Sequence, residues 1–151
     1  GRKPHKVTSF NIDPHELEKM NKRYQAKYRE IEKNEKRWEN YRVEDLEYLL
    51  VGYGTSGRIL KSVADMARGD GIKVGVFRPI TLWPYPYEAL AEVAENARFV
   101  LTVEMSSGQM VEDVKLALEG RVPVYFYGRM AGVVPTPEEI YRYFVKLLKE
   151  G

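Results

Sequence analysis

Three glycines, Gly52, Gly54 and Gly57, stand in the spacing G-x-G-x-x-G within the segment LLVGYGTSGRI. They follow an apolar run typical of a buried strand and precede an amphipathic run typical of a helix. In a dinucleotide-binding turn, such glycines let the backbone approach the pyrophosphate, which lies at the N-terminus of the helix. The same residues also form a tight strand-to-helix turn without any ligand, so both interpretations stay open at this point.

The residues after the second apolar run bear on this choice. A dinucleotide site usually has a carboxylate about 20 residues after the glycines, where it binds the ribose. Phe77 and Arg78 occupy that position, and Pro79 follows. Because an arginine suits a 2′-phosphate instead, a nucleotide site made of the three glycines and Arg78 is one hypothesis.

Few other residues have both a side chain that could take part in catalysis or ligand binding and a position at the end of a strand. Glu104 ends an apolar strand, so its carboxylate is a candidate acid or base. The alternative for Glu104 is a cap that accepts hydrogen bonds from the backbone N–H groups of the next turn. Arg78 and Arg129 also end strands and could bind a phosphate or carboxylate, or form a salt bridge, for example with Glu104. Trp83 and Tyr85 lie in a proline-rich loop, which favours a packed interface loop over a base-stacking platform.

Composition excludes several classes of site. The histidines, His5 and His15, precede the domain and share no helix face, so we expect no metal site. The chain has no cysteine, hence no disulfide, no thiolate nucleophile and no cysteine-held iron–sulfur cluster. A net charge of +2 favours neither nucleic acid nor an anionic membrane as a partner. Without an apolar run of membrane-spanning length or a leader-like start, we expect a cytoplasmic protein.

The candidate functional residues named above must be held in position by the strands and helices that alternate from about residue 46. Four apolar runs, each followed by a helical period, predict a mostly parallel sheet with helices on both faces. The carboxyl ends of its strands should carry the functional loops, which are GYGTSG, RPITLWPYP, EMSSGQ and YGRMAGVVPTP. Thr136 and Glu139, on either side of Pro137, predict a capped start for the last helix.

A dense mixed-charge segment precedes this domain. Asp13 and Pro14 are a typical helix start, and apolar residues then recur at three-, four- or seven-residue spacing as far as Trp38, which predicts a long helix over residues 13–40. Residues Trp38–Val43 could instead add a short edge strand to the sheet.

This pattern divides the chain into an N-terminal arm, residues 1–45, and an α/β domain, residues 46–151. The helical stripe packs either on its own domain or on another domain or chain. Leu17, Met20 and Tyr24 are the stripe residues that we expect at such an interface. The chain begins with Gly rather than Met, and we expect it to be a piece of something longer.

Several strings of the sequence resemble one family. GIKVGVFRPITLWPYP, VEMSSGQMVEDVKLAL and VPVYFYGRMAGVVPTPEEI are similar to the C-terminal part of the alpha subunit of 2-oxoacid:ferredoxin oxidoreductases. The similarity is greatest to the 2-oxoisovalerate or branched-chain type, and it extends to the pyruvate and 2-oxoglutarate types. The charged helix also resembles the segment that leads into this domain. The family usually has Asn and a small residue at Ser106 and Ser107, and Gly at Ala131.

The resemblance implies a three-layer αβα sandwich like the C-terminal domain of transketolase, with a mixed five-stranded sheet whose first strand is antiparallel. Such enzymes oxidatively decarboxylate a 2-oxoacid to an acyl-CoA and reduce ferredoxin, using thiamine diphosphate, magnesium, iron–sulfur clusters and coenzyme A. The resemblance implies that this domain is architectural, inactive alone, binds no cofactor, and contacts a pyrimidine-binding N-terminal domain and the other subunits of the complex. A thermophilic source fits the abundance of Glu and Lys.

The hypotheses therefore belong to three classes. The first is an assembly domain of a thiamine-dependent oxidoreductase, without catalytic or metal-binding residues of its own. The second is a stand-alone nucleotide-binding domain, and the third is a module that contacts coenzyme A through its basic strand ends. The candidate interface or loop residues are Arg78, Trp83, Tyr85, Glu104, Gln109, Arg129, Leu17, Met20 and Tyr24.

Overall fold

The computed structural model describes residues 1, 3–4, 10 and 12–150, so His5 lies outside the described residues. The chain divides into two units, residues 1–35 and 36–151, and each is described by itself. The elements in chain order are α1 (Pro14–Asn34), β1 (Trp38–Tyr41), β2 (Tyr48–Val51), α2 (Gly54–Gly69), β3 (Val74–Pro79), α3 (Tyr87–Val93), β4 (Phe99–Glu104), α4 (Met110–Leu118), β5 (Val124–Gly128) and α5 (Pro137–Glu150).

Helix α1 begins where the sequence predicts and ends earlier. The side chain of Asp13 accepts a hydrogen bond from the backbone N–H of His15 at 2.9 Å, and proline occupies the first turn. The predicted end at residue 40 is wrong, because α1 ends at Asn34. There the side-chain amide of Asn34 folds back and donates to the carbonyl oxygen of Glu30 at 2.8 Å.

The segment after α1 is a strand. β1 pairs antiparallel with β3, so that Trp38 lies opposite Pro79 and Tyr41 opposite Val76. Trp38 therefore does not belong to the apolar stripe of α1, although its spacing fits that stripe. Pairing with the sheet outweighs the local helical pattern, and the alternative prediction of a short edge strand is confirmed over Trp38–Tyr41.

The five strands form one mixed sheet in the order β1-β3-β2-β4-β5. β2 is parallel to both β3 and β4, and β4 is parallel to β5. Only the first strand is antiparallel, as the family resemblance implies. The carboxyl ends of the four parallel strands therefore meet at one edge of the sheet.

Two apolar clusters cover the two faces of this sheet. On one face, Leu49 and Val51 of β2 share a cluster with Leu90 of α3 and Val114 of α4. On the other face, residues of β2, β3 and β4 pack with residues of α2 and α5. Burial of one such side chain stabilises the fold by about 1.5–3 kcal/mol. The result is the predicted three-layer αβα sandwich.

The last helix has the predicted capping box. The backbone N–H of Thr136 donates to the Glu139 carboxylate at 3.0 Å, and the N–H of Glu139 donates to the Thr136 hydroxyl at 3.2 Å. These reciprocal bonds satisfy two N–H groups that the helix itself leaves unpaired. They fix the point at which the loop after β5 ends.

Candidate functional site

The glycine turn between β2 and α2 is packed by atoms of the chain itself. A Cβ atom on Gly57 would lie 2.5 Å from the carbonyl oxygen of Gly52, and one on Gly52 would lie 2.7 Å from the Leu60 side chain. Gly54 has φ +53° and open space at its Cβ position. Two glycines thus permit close strand-to-helix contact and the third permits the turn. This geometry favours the interpretation as a tight turn, and nucleotide binding stays an untested alternative.

Arg78, the residue proposed to bind a 2′-phosphate, is engaged inside the domain. Its methylene groups lie against Gly57, where an added Cβ would meet them at 2.8 and 2.9 Å. Its Nη1 donates to Oε2 of Glu39 at 3.0 Å. Glu39 lies opposite Arg78 on β1 and also binds Lys61 of α2. The Glu39 carboxylate therefore joins the edge strand to β3 through Arg78 and to α2 through Lys61.

Sequence reasoning missed Glu39. A carboxylate opposite a strand-end arginine is the signal that could have found it, but only if residues 38–41 are read as a strand paired with β3. Hydrogen bonds from Lys61 first, and then from Arg78, hold the pKa of the Glu39 carboxyl below its ordinary value. This ion cluster is partly exposed, with 37% of the Glu39 side chain accessible.

The lowered pKa gives a pH-dependent contribution to stability. Since the folded pKa lies below the unfolded one, the cluster stabilises the fold above the unfolded value of about 4.3, and this stabilisation is lost as pH falls through the folded pKa. We expect Glu39→Gln to cost about 0.5 kcal/mol at pH 7, where solvent screens the pair, and to cost less at pH 3. Urea unfolding across this range measures the difference.

Glu44 is exposed in the turn after β1, so Glu44→Gln is the control for the loss of one negative charge. An equal loss of stability at pH 3 and pH 7 in Glu39→Gln would contradict the assigned ion cluster, because an uncharged carboxyl forms no ion pair.

Glu104 is fully buried at the end of β4 and caps α4. Its carboxylate accepts hydrogen bonds from the backbone N–H groups of Gln109, Met110 and Val111, with N–O distances from 2.9 to 3.3 Å. The Ser106 hydroxyl donates a further bond at 3.1 Å. The capping prediction for Glu104 is therefore confirmed, and the start of α4 supplies the hydrogen bonds that a buried carboxylate requires.

Arg129 follows β5 and bonds in two directions. Its backbone N–H donates to the carbonyl oxygen of Glu104 at 3.1 Å. Its guanidinium lies 3.8 Å from the carboxylate of Glu139, at the start of α5. The alternative of a salt bridge therefore holds for Arg129, but its partner is Glu139 and not Glu104, whose carboxylate is turned toward α4. Ala131, where the family usually has glycine, has φ +54°, in the left-handed region that favours glycine.

The two aromatic residues of the loop after β3 differ in exposure. Tyr85 is buried, and burial raises the pKa of its hydroxyl. Its neighbour Tyr87 donates to Asp113 of α4 at 2.5 Å, and this hydrogen bond raises the pKa of Tyr87 to about 12. Trp83 is 56% exposed. One end of the loop is thus anchored on the domain while Trp83 remains accessible.

Exposed apolar side chains concentrate at the carboxyl edge of the sheet. Of the ten large apolar residues that are exposed within the described residues 36–150, eight lie at the ends of β3, β4 and β5 or at the start of β1. We call these eight the carboxyl-edge surface: Trp38, Ile80, Leu82, Trp83, Met105, Met130, Val133 and Val134. Such a concentration is typical of an interaction site, since isolated domains rarely expose large apolar patches.

Helix α1, in the other unit, also presents an apolar stripe. Leu17, Met20 and Tyr24 are half-buried, and none of the 21 residues of this fully described helix is buried. Their assignment as interface residues stays a prediction.

Within residues 12–150 and the few described before them, there is no group of three or more His, Asp or Glu side chains that could hold a metal ion. None of the described helices has the length and apolar character needed to cross a membrane.

Known proteins are similar to this chain in sequence. Residues 46–140 match the family described as pyruvate:ferredoxin oxidoreductase core domain II. The chain is 50% identical over 136 residues to the ketoisovalerate oxidoreductase subunit VorB of Methanothermobacter marburgensis, covering 90% of this chain and 38% of that protein. It is 46% identical over 126 residues to VorB of Methanothermobacter thermautotrophicus, covering 83% of this chain and 36% of that one. These organisms fit the thermophilic source that the composition indicates.

Solved structures confirm the fold. A 2-oxoglutarate:ferredoxin oxidoreductase from Magnetococcus marinus matches with a TM-score of 0.76 at 20% identity, over 90% of this chain and 24% of that one. A split-gene transketolase matches with a TM-score of 0.60 at 20% identity, over 74% of this chain and 41% of that one. The domain is therefore similar to a part of transketolase, as the resemblance implies.

The chain spans little more than a third of the length of the VorB relatives. The family match covers most of the α/β domain, and the relatives are subunits of 2-oxoacid oxidoreductases. The chain belongs to the 2-oxoacid:ferredoxin oxidoreductase family, and its residues 46–140 form the part described as core domain II.

Proposed function

We propose that this chain is an assembly domain of a 2-oxoacid:ferredoxin oxidoreductase subunit and has no catalytic centre of its own. The observation that carries the proposal is the carboxyl-edge surface, where eight large apolar side chains are exposed along one edge of the sheet. We propose that the portion of a VorB-type subunit that this chain does not span covers this surface in the whole enzyme. Other subunits of the complex are further partners, and the cytoplasm is the proposed location.

The polar residues at this edge support an architectural role. Glu104 is bound by α4, Arg78 by Glu39, and Arg129 lies beside Glu139. Each of the charged groups considered for chemistry or for coenzyme A thus already has a partner within the domain. These contacts hold the loops at the carboxyl edge in fixed positions relative to the strands. The carboxyl edge is therefore a defined surface for docking.

Two groups that the family uses, the magnesium ion and the iron–sulfur clusters, do not fit the residues described here. The magnesium ion of thiamine diphosphate needs oxygen ligands that converge, and no acidic cluster of this kind occurs among the described residues. Iron–sulfur clusters are held by cysteine thiolates, and the sequence contains no cysteine. We therefore derive no reaction step through these groups on this chain.

The reaction proposed for the whole enzyme is oxidative decarboxylation of a 2-oxoacid to an acyl-CoA, with reduction of ferredoxin. A branched-chain 2-oxoacid is the proposed substrate class, because the relative that is 50% identical is named a ketoisovalerate oxidoreductase subunit. This chain would contribute by holding the other parts of the enzyme in place.

Co-expression tests the proposal directly. The tagged chain is produced together with the portion of Methanothermobacter marburgensis VorB that lies outside the match, and the complex is captured and quantified. We expect a one-to-one complex. Trp83→Glu and Val134→Glu, which place a charge in the apolar surface, are expected to weaken binding about tenfold or more.

Leu116→Glu is the matched control. Leu116 is an exposed leucine of α4 that lies away from the carboxyl edge, with 64% of its surface accessible. Binding that persists in the Trp83 and Val134 variants, or that Leu116→Glu reduces as strongly, would contradict docking through this surface. Oxidation of 2-oxoisovalerate by the 151-residue chain alone, with thiamine diphosphate, coenzyme A and a dye acceptor, would contradict the assembly role itself.

A further inference from the structure

The outer edge of the sheet at β5 presents a defined set of backbone groups. The carbonyl oxygen of Pro123 accepts from the N–H of Val100 at 2.9 Å, and the N–H of Arg129 donates to Glu104 at 3.1 Å. In a parallel ladder, alternate residues bond to the same neighbour. The odd-numbered residues of β5 therefore face β4, and Val124, Phe126 and Gly128 point their N–H and C=O groups away from the sheet.

This edge lacks the features that usually block strand pairing. Residues Val124–Gly128 include no charged side chain and no proline. Native edge strands are commonly protected by such residues, because unpaired backbone groups are a template for another strand. The opposite edge, β1, carries Glu39, which is held by Lys61 and Arg78. Of the two edge strands, β5 is the one whose residues include no charged side chain.

We propose that β5 pairs antiparallel with β5 of a second copy of this chain, about a two-fold axis at Phe126. Val124 and Gly128 lie two residues on either side of Phe126. Phe126 would then exchange two hydrogen bonds with its counterpart, and Val124 of each copy would exchange two with Gly128 of the other. All outward backbone groups of the strand are paired in this register, and the two sheets become one of ten strands.

The side chains of β5 suit this register. Tyr125 is 37% exposed, and Tyr127 packs on Tyr143 of α5 with ring centroids 5.1 Å apart. In the proposed pairing, Tyr125 of each copy lies opposite Tyr127 of the other on the α5 face. Aromatic residues directly opposite each other stabilise antiparallel pairs. The Phe126 ring lies on the other face, over Gly108 and Gly128.

A second copy is the occupant that this pattern favours. Any extended strand can pair with the outward backbone groups. A copy of β5 also places Tyr125 of each chain opposite Tyr127 of the other, and Val124 of each chain opposite Gly128 of the other. Identical surfaces that match in this way form closed, two-fold dimers. The inference is independent of the proposed function, since it uses none of the residues of the carboxyl-edge surface.

Sedimentation and amide hydrogen exchange test the proposal on the 151-residue chain. We expect a dimer in sedimentation at high protein concentration. The amides of Val124, Phe126 and Gly128 should become protected as the concentration rises, whereas those of Tyr125 and Tyr127 are protected at every concentration by the β4 ladder.

A proline at the centre of the strand separates backbone pairing from side-chain effects. Phe126→Pro removes an outward N–H and leaves the ladder to β4 intact, and we expect it to raise the dissociation constant at least tenfold. Phe126→Ala, which loses the same ring but keeps the N–H, is the matched control and should still form a dimer. Near-ultraviolet circular dichroism of both variants verifies that the domain remains folded.

Three results would overturn this inference. They are a chain that stays monomeric at all concentrations, a dimer in which the Phe126 amide exchanges rapidly, and a dimer that Trp83→Glu dissociates but Phe126→Pro does not. The last result would assign the dimer to the carboxyl-edge surface instead.

Discussion

Replacement of Glu104 by glutamine is expected to lower the free energy of unfolding by about 3 kcal/mol. The carboxylate of Glu104 accepts from three backbone N–H groups at the start of α4 and from the Ser106 hydroxyl in the turn before it. Glutamine has nearly the same shape, but it turns one acceptor oxygen into a donor that faces N–H groups. It also removes a negative charge from the N-terminus of a helix, where the helix dipole favours one.

Urea unfolding measures this loss, with Glu112→Gln as the matched control. Glu112 is also in the first turn of α4, but 69% of its side chain is exposed and it pairs with Lys115 at the surface. The control should cost less than about 0.5 kcal/mol. A similar small cost for Glu104→Gln would mean that the cap contributes little and that this buried carboxylate needs another explanation.

Substitution of Gly57 by alanine is expected to destabilise the domain by about 3 kcal/mol. The added Cβ would lie 2.5 Å from the carbonyl oxygen of Gly52, a backbone atom that cannot rotate away as a side chain would. It would also press on the methylene groups of Arg78. Helix α2 must then move away from β2, which opens the apolar cluster on that face.

Gly69→Ala controls for the general effect of alanine in the same helix. Gly69 ends α2, and no atom beyond its chain neighbours and the nearby helix backbone lies within 4 Å of its Cβ position, so alanine there is expected to add about 0.5–1 kcal/mol of stability. In thermal and urea unfolding, Gly57→Ala should therefore lower the free energy of unfolding and Gly69→Ala should raise it. Equal effects would contradict the close packing of the turn, and micromolar binding of NAD by the unaltered chain would restore the nucleotide interpretation.

Much of the domain could be predicted from local patterns. The alternation of apolar runs and helical periods places β2 to β5 and α2 to α5 in the right order, because both faces of the sheet are buried. Glu104 could be assigned as a cap because it stands just before the turn that opens α4. Thr136 and Glu139 have the capping-box spacing, and the structure has both bonds.

Contacts between distant segments could not be predicted in the same way. Glu39 and Arg78 are 39 residues apart, and they meet only because β1 pairs with β3. The sequence suggests Glu104 as a salt-bridge partner of Arg129, but the guanidinium lies beside Glu139, because the direction of a long side chain depends on the loop that carries it. The end of α1 was misplaced because Trp38 fits the helical stripe by spacing alone.

Family resemblance supplied what local patterns lacked. The antiparallel orientation of the first strand follows from the resemblance and is present in β1. The family glycine at position 131 has a physical reason, since Ala131 has φ +54° in this chain. An L-residue with a side chain costs about 1–2 kcal/mol in that conformation, which glycine avoids.

The strand order also sets the sequence in which the domain can form. Tyr48 pairs with Phe99 and Trp38 with Pro79, so the formation of each of these two ladders closes a loop of about 40–50 residues. During synthesis, β2 has no neighbour until β3 leaves the ribosome, and it stays half-paired until β4 follows. Apolar segments of the nascent chain therefore remain exposed until the helices after Glu104 have also emerged, so chaperone contact and slow folding are the expected consequences of this topology.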